Sequence, residues 1–99
     1  MSTKKAADPF GKVESAARRF FHLREKRDAA LKAVHASLNQ IEAMVDPDVD
    51  TELDATEEFG EKVDAFVELD KRLCAAHASF LTESQIVLST LVEARMARA

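Results

Sequence analysis

Between Phe59 and Leu91, apolar side chains recur at helical spacing: Phe59, Val63, Phe66, Leu73, Phe80, Val87 and Leu91. A second column runs beside them: Val67, Cys74, Leu81 and Leu88. A face this broad and this regular demands one long helix packed against other helices. It leaves no room for strands, whose side chains alternate with a period of two. Asp70, His77 and Ser84 interrupt the face at seven-residue intervals.

A second stripe precedes it, in steps of three and four: Phe10, Val13, Ala17, Phe20, Leu31, Val34, Leu38, Ile41 and Val45. Arg24 and Arg27 occupy its two missing steps. A flank of Ala16, Leu23, Ala30 and Met44 is mostly small, which lets a neighbouring helix come close. The pattern predicts a first helix from Pro9 to Met44, with Asp8 as its N-cap and Pro9 at the first helical position. Residues 1–8 read as a flexible tail and 9–99 as a single domain.

Asp46-Pro47 separates the stripes, because the residue before a proline is driven out of the α region. The second helix can start at Asp46, or further on at Thr51 with Asp54 three residues later. It continues to about Met96. A connection this short folds the helices antiparallel. Placing the turn near Pro47–Val49 pairs residues whose numbers sum to about 97. Arg27 then faces Asp70, and Phe20 faces His77. The polar breaks of the two stripes thus coincide. We read Arg24, Arg27, Asp70 and His77 as a structural polar layer that fixes register.

The expected fold is therefore all-α: an antiparallel hairpin of two long helices, dimerising into a four-helix bundle. Leu88, Leu91, Val92 and Met96 extend past the end of the first helix and have no cover within one hairpin. Exposed apolar surface of this kind marks an interface, so these four are the candidate interface residues. The first expected partner is a second copy of the chain.

Charge supports a direction for that dimer. The net charge of −4 hides a basic segment, nine Lys/Arg against four Asp/Glu over residues 1–35. Residues 42–70 carry twelve acids against Lys62 alone. The turn is acidic, and the open end holds Lys4, Lys5, Lys12, Arg18, Arg19, Arg95 and Arg98. Antiparallel hairpins would set each acidic turn beside the partner's basic end.

Glu57-Glu58-x-x-Glu61 resembles one metal-binding element of the all-α nucleotide pyrophosphohydrolases of the MazG type. That resemblance implies Mg²⁺ held by acids on two helices and bound to substrate phosphates. The family's second element, an acid followed three residues later by Asp, has no counterpart downstream: Glu83 is followed there by Ile86 and Glu93 by Met96. Cys74 and His77 have ligand spacing for zinc, but no second Cys/His pair accompanies them. Gly11 and Gly60 stand alone, so there is no phosphate loop. No catalytic residue, cofactor or metal is expected.

Arg18 and Arg19 with the nearby lysines allow a nucleic-acid reading of the basic end, against which stand the acidic total and the lack of a DNA-binding motif. Cys74, the only cysteine, reads as a packed thiol in a reducing compartment. No apolar run follows Lys4 and Lys5, and none is long enough to span a bilayer. The expectation is a cytoplasmic, non-catalytic protein-protein interaction module, an adaptor, assembly or chaperone-like protein. A nucleic-acid-associated protein and a metal-dependent nucleotide hydrolase are the alternatives.

Overall fold

The computed structural model describes residues 9–98. Asp8, the expected N-cap, and the expected tail lie outside the described residues. Two helices account for nearly all of the rest: α1, Pro9–Glu42, and α2, Val49–Arg98. They form an antiparallel hairpin, and no strand occurs among the described residues. Among the described residues no helix is long and apolar enough to cross a membrane.

α1 ends two residues before the expected Met44. Ala43 N–H still reaches the Asn39 carbonyl, but Met44 N–H bonds the Ile41 carbonyl in a tighter turn. Asp46 then takes a left-handed φ of 48°. Asp tolerates that region better than most side chains, and Pro47 behind it disfavours a further helical turn.

α2 starts at neither expected position. Asp48 is its N-cap: the carboxylate accepts the Thr51 N–H at 2.7 Å. The Asp48 carbonyl accepts the Glu52 N–H at 3.0 Å, closing the first helical turn. Asp50 and Glu52 lie in the first turn of α2, and Arg95 and Arg98 in its last, as the helix dipole favours.

The interior is thin. Leu23, Leu73 and Ala76 are its buried apolar residues, with Phe20 and Leu69 packed against them. Ser37 is buried too, at 4% exposure, beside 3% for Ala76. The α1 line Ala16, Leu23, Ala30 and Ser37, mostly small, is buried or half-buried throughout. The Cα envelope is 75 Å long but 14 Å in its thinnest direction. Two helices side by side make a layer one helix thick. Its radius of gyration, 22.0 Å, compares with about 13 Å for a compact domain of this length.

Candidate functional site

A layer one helix thick has two broad sides, and the sequence makes them unlike. The line of α2 that faces α1 is Phe66, Leu73, Phe80 and Val87. One residue onward is a rotation of about 100°, which brings up Val67, Cys74, Leu81 and Leu88. On α1 the same step leads from Ala16, Leu23, Ala30 and Ser37 to Ala17, Arg24, Leu31 and Leu38. In an antiparallel pair these two forward steps turn toward the same broad side. One residue back from the facing lines lie His22 on α1 and Arg72 on α2, on the other side. There they border an open cleft of ≈ 380 Å³ with Arg19 and Leu23.

One side of the hairpin therefore carries the more apolar column, interrupted by Arg24 on α1, and the other carries Arg19, His22 and Arg72. On the apolar side Val67, Leu81 and Leu88 are exposed, Leu81 by 50%. Cys74 is exposed in the same line. This corrects its reading as a packed thiol. The flank of α2 that α1 covers is the opposite one, Lys62, Leu69, Ala76 and Glu83. That flank carries small or polar members, and Glu83 Oε1 is buried there without a hydrogen-bond partner.

The polar residues chosen from the sequence part company. Arg27 and Asp70 meet, with the guanidinium Nη1 donating to Asp70 Oδ1 at 3.3 Å. Both are half-buried. Arg27 Nε also donates to Asp28 at 3.2 Å. His77 is exposed, and its ring stacks on Phe20 at 5.1 Å between centroids. Phe20 stacks on Phe80 as well, at 6.1 Å. Arg24 does not join the ion pair. It is exposed, its guanidinium lying 5.1 Å from the Phe21 ring centroid and 5.8 Å from that of Phe20. That is cation–π geometry on a surface, so the polar layer inside the hairpin narrows to Arg27 and Asp70.

Leu88, Leu91, Val92 and Met96 are all exposed, Met96 by 71%. By the 97 register, α2 passes the start of α1 at about Leu88, and its last ten helical residues extend past the described part of α1. Glu57, Glu58 and Glu61 are exposed. Among the described residues no three His, Cys, Asp or Glu side chains gather as a metal site.

No protein-family model, curated protein or solved structure matches the chain.

Proposed function

We propose that the chain is a non-catalytic helical interaction module whose working surface is the apolar broad side of the hairpin. It acts as an oligomeric adaptor, assembly or chaperone-like protein and pairs with a second copy to complete a four-helix bundle. One observation carries the reading. Val67, Cys74, Leu81 and Leu88 lie exposed in one line along a single broad side of α2. Two hairpins stacked by that side make the second half of a core that one hairpin lacks. Soluble chains rarely leave an apolar strip of this length open to water.

Multi-angle light scattering across micromolar concentrations tests it. The expected mass is that of two chains. Leu81→Glu, at an exposed site of the hairpin, is expected to give monomers that remain helical. Arg72→Glu, on the polar side, is expected to leave the dimer intact. A wild-type monomer throughout that range would overturn the reading.

A further inference from the structure

Resting on that reading, we infer that the two copies lie antiparallel, α2 on α2, in the one register where residue numbers across the interface sum to 155. The α2 line is self-complementary in that register alone among heptad steps. Val67 meets the partner's Leu88, and Cys74 meets the partner's Leu81. A step one way sets Leu88 against the partner's Gly60. A step the other way sets Val67 against the partner's Arg95. Each alternative loses an apolar pair.

Charge selects the same register. Arg95 and Arg98 come level with positions 60 and 57 of the other copy, between Glu57, Glu58 and Glu61. The segment with twelve acids against one lysine is thereby kept apart from the same segment of the other copy and set beside the other copy's basic end. The projecting end of α2 supplies a third argument. Leu91 and Val92, exposed beyond the reach of α1, lie over residues 63–64 of the other copy and gain cover.

The area is adequate. Residues 57–98 of α2 overlap along about 60 Å, and a strip one helix wide is on the order of 600 Å² per copy. With the adjoining side of α1 this reaches the roughly 800 Å² per partner of a stable interface.

The competing arrangement sets both turns at one end, with α1 of each copy over α2 of the other. Arg24 then lies over the partner's Cys74. Its apolar contacts are reasonable, but it brings acidic turn to acidic turn and leaves the projecting ends bare.

Disulfide trapping separates the two. Cysteines link only when their Cα atoms come within about 7 Å. In the 155 register Cys74 and the partner's Cys74 are offset by about 10 Å along the axis. The native chain is expected to stay unlinked under copper–phenanthroline oxidation. Leu81→Cys, with Cys74 retained, is expected to give a covalent dimer whose peptide map shows the 74–81 linkage. Should Leu81→Cys weaken association, Val67→Cys/Leu88→Cys in a Cys74→Ser background is expected to give the 67–88 linkage. A dimer in which Arg24→Cys links to the partner's Cys74, or in which the native chain links through Cys74 alone, overturns the direction or the register and leaves self-association standing. A monomer by light scattering overturns both.

Discussion

Arg27 on α1 and Asp70 on α2, forty-three residues apart in the chain, meet side chain to side chain at 3.3 Å across the hairpin. The same register brings Phe20 onto His77. Each residue stands where an apolar stripe lapses. A one-turn slip of either helix would set an ion against an apolar neighbour, which disfavours alternative registers.

The pair should nonetheless contribute little to stability. Their side chains keep 29% and 43% of their exposure, and solvent screens pairs of that kind to about 0–1 kcal/mol. In a double-mutant cycle of Arg27→Met and Asp70→Leu, the expected coupling is on the order of 0.5 kcal/mol and shrinks in high salt. Each single variant should be less stable than the double one, since it strands a half-buried charge. Zero coupling at low salt would contradict the contact.

The cap of α2 should titrate. The hydroxyl and then the N–H of Thr51 hold the Asp48 carboxyl below its ordinary value of 3.8. A lowered pKa in the folded state means the charged cap stabilises the fold above pH 3.8, and the contribution is lost as pH falls through the lowered value. Asp48→Asn keeps an acceptor for the Thr51 N–H but does not ionise. Thermal melts from pH 2 to 6 are expected to show a shallower acid limb for Asp48→Asn than for the wild type. Asp48→Ala should melt lower at every pH above 4. Identical acid limbs for wild type and Asp48→Asn would remove the cap from the account.

Much of the fold was legible from residues alone, and the reason is local. Heptad spacing is a property of one helix, and the turn position sets every cross-helix pair, so Arg27–Asp70 follows from counting. The start of α2 was not legible. Asp46, Asp48 and Thr51 all have capping side chains, and the choice depends on the left-handed φ at Asp46, which spacing does not encode. Nor was the covered flank of α2. The more apolar flank, Val67 to Leu88, looks like the interior, yet α1 packs on Leu69 and Ala76. Small residues on both helices allow closer approach there. Glu83 shares that flank, and only an apolar count would have to be overruled to see it. The open flank is where the candidate site lies.

Gly60 sits inside α2, where glycine costs about 1 kcal/mol relative to alanine. A Cβ built there meets nothing within 4 Å. Gly60→Ala is therefore expected to raise the unfolding free energy by about 1 kcal/mol in chemical denaturation. The gain is expected in the monomeric Leu81→Glu background; a smaller gain in the wild-type dimer would be the mark of the partner's Arg95, which the 155 register sets level with Gly60.

Cys74 offers a direct view of the apolar side. Within one hairpin the thiol is exposed, so labelling by a maleimide should proceed without unfolding when the protein is dilute enough to be monomeric. The line Val67, Cys74, Leu81, Leu88 is also the one proposed to be covered by the second copy. Raising the concentration should then slow labelling as the dimer fills, with a midpoint at the dissociation constant found by light scattering. Leu81→Glu should abolish that protection while leaving the rate in dilute protein unchanged. A labelling rate independent of concentration, in a sample that scatters as a dimer, would place the contact on another face.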